Sequence, residues 1–173
     1  YQSEHDELTG LYNKRSLNRY LEDVFEACKL NEKELGILFL DIDYFKQLND
    51  RYGHGKGDEG ICAVADTLKR IFPEDYVARY GGDEFLVVMT GRDLTYVMEH
   101  AESLCAGIRE CKIPNEDSEV ESWLTISVGG VCAIPKEPNR VWDFLSAADN
   151  TLYEQKKEQK GKVRFYQGEG KYL

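Results

Sequence analysis

Arg79-Tyr80-Gly81-Gly82-Asp83-Glu84-Phe85 lies between two short apolar runs, Tyr76 to Tyr80 and Phe85 to Met89. Both runs are rich in aromatic and β-branched residues and read as strands. Glycine takes positive φ without strain, so Gly81-Gly82 predicts a two-residue hairpin with Asp83 and Glu84 beside its tip. Upstream, Leu35-Gly36-Ile37-Leu38-Phe39-Leu40 is a continuous apolar run bounded by charge. That pattern fits a central strand buried on both faces. It ends in a second acidic group, Asp41-Ile42-Asp43-Tyr44-Phe45-Lys46. Carboxylates that meet at strand ends suit a hard divalent cation, and such a cation handles phosphate.

Outward from these strands, the periodicity predicts helices over 14–30, 43–51, 57–71, 93–111 and 141–158. Leu17, Leu21, Val24, Phe25 and Cys28 share one helical face, as do Ile61, Val64, Ala65, Leu68 and Ile71. Residues 112–122 read as a polar loop. Trp123 to Ile134 reads as a long strand with a bend or bulge at Gly129-Gly130. Val163 to Tyr166 reads as a last strand. The order predicts one domain over residues 1–173, an α/β (α+β) fold with helices packed on a single sheet. The strand at 35–41 reaches the strand at 75–80 through helices. If those two strands pair, the pairing is parallel with a right-handed crossover, and Asp83 falls near Asp41.

The helix that opens after Asp41 presents free N–H groups that can bind phosphate, and Lys46 adds charge there. Asp43 fits either the acidic group or a helix N-cap. Lys156 and Lys160 share a face only if the last helix continues that far, where they would clamp distal phosphates. A solvated basic helix end accounts better for Lys157 and Lys162.

The net charge of −10 argues against a nucleic-acid binder, which would show a basic footprint. The five cysteines are odd in number and lack CxxC spacing, which predicts reduced thiols in a cytoplasmic protein. No apolar stretch reaches the roughly 18–20 residues of a membrane span, so no membrane contact is expected from this domain. The chain opens at Tyr1-Gln2-Ser3 without an initiator Met, so an excised piece with an upstream sensor or dimerising segment is expected.

Together these stretches resemble the GGDEF family of diguanylate cyclases. The resemblance runs from Asp6-Glu7-Leu8-Thr9-Gly10-Leu11-Tyr12-Asn13 through Asp41 to Lys46, Asn49-Asp50, Tyr52-Gly53-His54 and Gly57-Asp58. It continues through Arg79 to Phe85, Thr125 to Gly129, and Ala148-Asp149 with Leu152-Tyr153. It implies a central mixed sheet surrounded by helices, similar to class III nucleotide cyclase domains and polymerase palms. It implies joining of two GTP into cyclic di-GMP with release of two pyrophosphates, across a homodimer holding one GTP per domain. Mg²⁺ or Mn²⁺ is implied, with two ions per GTP.

By position, the resemblance makes Asp41 and Asp83 metal ligands with the Ile42 carbonyl, and places Glu84 at the metal or the hydroxyl proton. Asp83 and Glu84 both stand as the base. Lys46 would stabilise charge on the phosphates, and the Phe45 and Lys46 amides would contact them. Lys156 matches a phosphate-binding lysine, and Lys160 stands where arginine is frequent. Asn49 and Asp58 match the guanine readers, because a carboxylate accepts from guanine N1–H and its amine as adenine cannot offer. His54 fits either a nucleotide contact or a structural loop residue. A second implied reading is a catalytically silent GTP-binding sensor that regulates a fused or partner phosphodiesterase. The family's RxxD product site appears as Phe72-Pro73-Glu74-Asp75, with the guanidinium fork lost.

Overall fold

The computed structural model describes residues 3–168 and Leu173, so the Tyr1-Gln2 start lies outside the described residues. The element order is α1 Lys14–Asn31, β1 Leu35–Ile42, α2 Phe45–Tyr52, α3 His54–Ile71, β2 Tyr76–Arg79, β3 Glu84–Thr90, α4 Leu94–Glu110, β4 Ile126–Ala133, α5 Val141–Glu158 and β5 Val163–Phe165. One sheet carries the strands in the order β2-β3-β1-β4-β5. The β4–β5 pair is parallel and the other pairs are antiparallel, so the sheet is mixed.

The strand period of two sorts the core into two layers. Leu38, Leu40, Phe85, Val87, Ile126 and Val128 face α3 and α4, where Val64, Leu68, Val97 and Leu104 meet them. Ile37, Phe39, Leu86, Val88 and Val131 face α1 and α5, where Leu17, Leu21, Phe144 and Leu152 close the second layer. β1 is therefore covered on both faces, as its unbroken apolar run requires. The Asn13 side chain caps α1 by accepting from the Ser16 amide at 3.0 Å.

The conditional pairing of β1 with β2 is not realised. β3 lies between them, antiparallel to both, because the hairpin folds it back onto β1. β1 and β2 still run the same way, so their C-terminal ends share one edge of the sheet.

The hairpin also differs from a two-residue turn. Tyr80 to Asp83 all lie outside the strands, and neither Gly81 nor Gly82 has positive φ. The loop is held instead by a side chain at the end of β2, braced from outside by Asp6. Arg79 donates through Nη2 to the Gly82 carbonyl at 2.8 Å and through Nε to the Gly81 carbonyl at 3.1 Å. Asp6 accepts from the same guanidinium at 3.2 Å. Gly81 instead leaves room for its neighbour, since a Cβ there would stand 2.7 Å from Glu84 Oε1.

Nor is there a bulge at Gly129-Gly130. β4 pairs with β1 without interruption from Leu35↔Ala133 to Ile42↔Ile126. These glycines serve close packing: a Gly129 Cβ would stand 2.3 Å from the Ala148 carbonyl oxygen of α5, and a Gly130 Cβ 2.5 Å from the Phe165 ring.

Candidate active site

The site lies where β1 ends and α2 begins. Asp41 is a register partner of Glu84 across β1–β3, and the Ile42 amide donates to the Asp83 carbonyl at 3.3 Å. Both acidic groups therefore meet, although through β3 and not through a β1–β2 pair. A cleft of about 420 Å³ opens beside them, lined by Ile42, Phe45, Lys46, Asn49, His54, Asp83, Lys156 and Lys160 among others. Asp41, Asp58 and Glu84 are not among its lining residues, Asp41 lying beside it under the Lys156 ammonium. Asp58 is exposed near the start of α3, and Glu84 is half-buried on β3 behind Asp83.

Asp43 is neither a cap nor an exposed member of the acidic group. It is 1% exposed and accepts from Thr125 Oγ1 at 2.8 Å and Ser127 Oγ at 2.5 Å. Tyr44 is the residue before α2, in the left-handed region with φ 54°, and no side chain caps that helix. An ordinary side chain in that region is strained by about 1–3 kcal/mol and persists only where surrounding contacts hold it. Tyr44 Oη donates to Glu119 at 3.0 Å, and Asn115 Nδ2 reaches the Asp43 and Tyr44 carbonyls at 3.4 Å. The first amides of α2 are thus left without a side-chain acceptor at the cleft, where an anion can take them.

The cations come from three places. Lys156, in the last turn of α5, donates to Asp41 Oδ2 at 2.6 Å. Lys160 lies beyond the helix, which ends at Glu158, so the shared helix face is not realised. Its ammonium returns to the cleft over the Tyr44 ring at 4.2 Å. Lys46 pairs with Asp50 at 3.1 Å on the exposed face of α2.

Asp41 Oδ1 and Asn49 Oδ1 are both buried without a hydrogen-bond partner. Gly57 makes the Asn49 position possible, because a Cβ there would stand 1.8 Å from Asn49 Oδ1. A larger concavity of about 590 Å³ between α1 and the start of α5 has no such orphaned atom among its lining residues.

Burial pushes the Asp41 carboxyl up to about 6, against the opposing hydrogen bond from Lys156. Asp83 and Glu84 are raised too, first by burial. Such a cluster favours an added cation. No group of three or more His, Cys, Asp or Glu side chains converges among the described residues. Mg²⁺ habitually takes one or two carboxylates and completes its shell with water and phosphate, so Asp41 and Asp83 fit it on those terms.

These shifts have a stability consequence. A carboxyl with a raised folded-state pKa contributes stability at low pH that is lost as pH rises through the folded value. Without metal or nucleotide, the contribution of Asp41 to thermal stability should therefore grow as pH falls from 7 toward 5, through its value of about 6. Melting curves should show a shallower rise in Asp41→Asn; an identical slope would remove Asp41 as its source.

Tyr44, Asn115, Thr125 and Ser127 were not singled out as parts of this site by sequence. Tyr44 and Thr125 to Ser127 stand within the quoted motifs, whereas Asn115 lies in a polar loop with no local signal. Helix α3 also starts earlier than predicted, at His54, directly after α2.

The diguanylate cyclase GGDEF domain model matches residues 3–162. A probable diguanylate cyclase DgcC of Escherichia coli K12 is 33% identical over 156 residues, covering 90% of this chain and 41% of that protein. The chain thus spans about two fifths of that relative's length. The GGDEF domain of DgcB from Caulobacter crescentus, solved in complex with c-di-GMP, superposes with a TM-score of 0.87 at 25% identity, covering 97% of this chain and 98% of that one. Diguanylate cyclase SiaD of Pseudomonas aeruginosa, solved with its activator SiaC, gives 0.82 at 28% identity over 94% of this chain and 62% of that one. The two facing acidic groups thus sit in a fold and a sequence pattern shared with these proteins, and the chain belongs to the diguanylate cyclase GGDEF domain family.

Proposed function

We propose that this domain condenses two GTP molecules into cyclic di-GMP, with release of two pyrophosphates, across a homodimer. The observation that carries the reading is the meeting of Asp41, with its buried unpartnered Oδ1, and Asp83 beside a cleft lined by lysines and by the start of α2.

The amides of Phe45 and Lys46 bind phosphate oxygens at the uncapped start of α2. Lys156 and Lys160 hold the distal phosphates. Lys46 leaves Asp50 to stabilise charge developing in the reaction. Asn49 Oδ1 accepts from an N–H of the guanine base, which supplies the partner that the free protein lacks. Asp58, exposed next to Gly57, completes base reading from the rim of the cleft. Asp41, Asp83 and the Ile42 carbonyl hold Mg²⁺ or Mn²⁺, which when bound supplies Lewis-acid polarisation of the phosphates. Glu84 or Asp83 accepts the proton of the attacking 3′-hydroxyl. Burial raises both carboxyls toward neutrality, where a base works best. One cleft holds one nucleotide, so the second must come from a second copy.

The test is to incubate concentrated protein with GTP and Mg²⁺, with ATP in parallel, and read products by chromatography and mass spectrometry. Cyclic di-GMP with pyrophosphate should appear from GTP alone, faster than linearly in protein concentration. Tight GTP binding without product, even in a forced dimer, would replace this reading by a silent sensor.

Product feedback through the RxxD position is not expected. Phe72 is 1% exposed within the core, so no guanidinium projects there, while Asp75 remains with a buried unpartnered Oδ2. Titrating cyclic di-GMP into the assay should give no sub-micromolar inhibition. Such inhibition, abolished by Asp75→Ala, would contradict this.

A further inference from the structure

Lys156 holds Asp41 from one side only. Its ammonium donates to Oδ2 at 2.6 Å, and Oδ1 of the same carboxylate is buried and unpartnered. The pair is sheltered, with 14% of the Asp41 side chain and 31% of the Lys156 side chain exposed. The same ammonium acts electrostatically on Asp43 and Asp83. The other cleft lysines are engaged elsewhere, Lys46 with Asp50 and Lys160 over Tyr44. Lys156 is therefore the cation placed on the carboxylate that a metal would need.

We propose that Lys156 is an internal counter-ion of the metal site: it occupies Asp41 until a nucleoside triphosphate arrives, so that the divalent cation enters with the triphosphate and not ahead of it. This rests on reading the cleft as a metal–triphosphate site. A divalent ion arriving alone at the unpartnered Oδ1 must sit beside an ammonium still held on Oδ2, positive charge against positive charge. A triphosphate changes the balance, because its oxygens give the released ammonium a new partner. Lysine suits the exchange, being a compact charge on a flexible stem that can swing between acceptors. Two jobs follow for one residue, with opposite signs. Lys156 opposes binding of the bare metal and favours binding of the metal–nucleotide pair.

The experiment titrates Mn²⁺ alone into the protein, read by electron paramagnetic resonance, and then GTP in the presence of Mn²⁺, read by calorimetry. Lys156→Met and Lys156→Gln remove the charge, Lys156→Arg keeps it, and near-ultraviolet circular dichroism checks folding. Two neutral variants are used so that misfolding of one leaves the other. The neutral variants should bind Mn²⁺ alone roughly tenfold more tightly than the native protein, the scale of removing one charge from beside a dication in a partly wet site. They should bind GTP several-fold more weakly, and the arginine variant should resemble the native protein in Mn²⁺ affinity. Native or weaker Mn²⁺ affinity in folded neutral variants overturns the counter-ion role. Asp41→Asn separates that failure from a failure of the site itself. If this variant keeps native Mn²⁺ and GTP affinities, Asp41 is not a ligand and both readings fall.

Discussion

Asp83→Ala should abolish cyclic di-GMP formation, with turnover falling on the order of 10³-fold or more, the scale for loss of a group that stabilises transition-state charge. Glu84→Ala should do nearly the same. The fold should survive both changes. Asp83 lies in the loop after β2 and Glu84 at the first position of β3, and both are only half-buried. Burial already disfavours each charged carboxyl, so its removal also relieves a desolvation cost. Activity assays beside melting curves make the check. A folded Asp83→Ala protein that retains more than about a tenth of native turnover would sink its assignment to the site.

Gly129→Val should be the most damaging single change to stability. The added Cβ would stand 2.3 Å from the Ala148 carbonyl oxygen, 2.3 Å from the Leu152 nitrogen and 2.8 Å from the Leu152 Cα. These are backbone atoms of α5, which cannot rotate away as a side-chain tip can. Either α5 lifts from the sheet or β4 deforms, and both open the layer that holds Phe144 and Leu152. Overpacking of this kind costs about 3 kcal/mol or more, equivalent to a melting temperature lower by roughly 6–12 °C in a domain of this size. Gly82→Ala is the internal control, since a Cβ there meets nothing within 4 Å and its φ is not positive. A melting temperature for Gly129→Val within a degree or two of native would mean that α5 does not pack on β4 as described. Because α5 also carries Lys156, a milder change at Gly129 should weaken nucleotide binding before it unfolds the domain.

Much of this was legible locally. The run from Leu35 to Leu40 is apolar at every position except Gly36 and short, which suits a strand covered on both faces, and β1 is covered on both faces. The helical faces of Leu17 to Cys28 and Ile61 to Ile71 followed from spacing alone, because a helix turns at a rate set by its own backbone. The last helix was bounded correctly at Val141 and Glu158. The two acidic groups stood out because charge next to a buried strand is costly without a purpose.

Gly129-Gly130 was read as a bend or bulge because a glycine's local meaning is conformational freedom, whereas its use here is the close approach of α5 and Phe165, which come from distant sequence. Gly81-Gly82 was read as a turn made by positive φ, whereas the side chain of Arg79, at the end of β2 and braced by distant Asp6, holds that loop. Lys160 could share a helix face with Lys156 only if α5 ran past Glu158, and because the chain leaves the helix at Gln159, Lys160 reaches the cleft from beyond its end.

Chain-local chemistry specified most of the elements, the two-sided burial of β1, and the residue types that gather at its end. Those follow from backbone period and side-chain chemistry, which are properties of neighbours in the chain. Only the tertiary structure decided that β3 lies between β1 and β2, that Asp43 is a buried acceptor for Thr125 and Ser127, and that Lys156 rests on Asp41. Each of these depends on which distant segments pack together. That choice is made by the whole core closing at once, as burial of both faces of one sheet offsets the entropy of bringing its strands together.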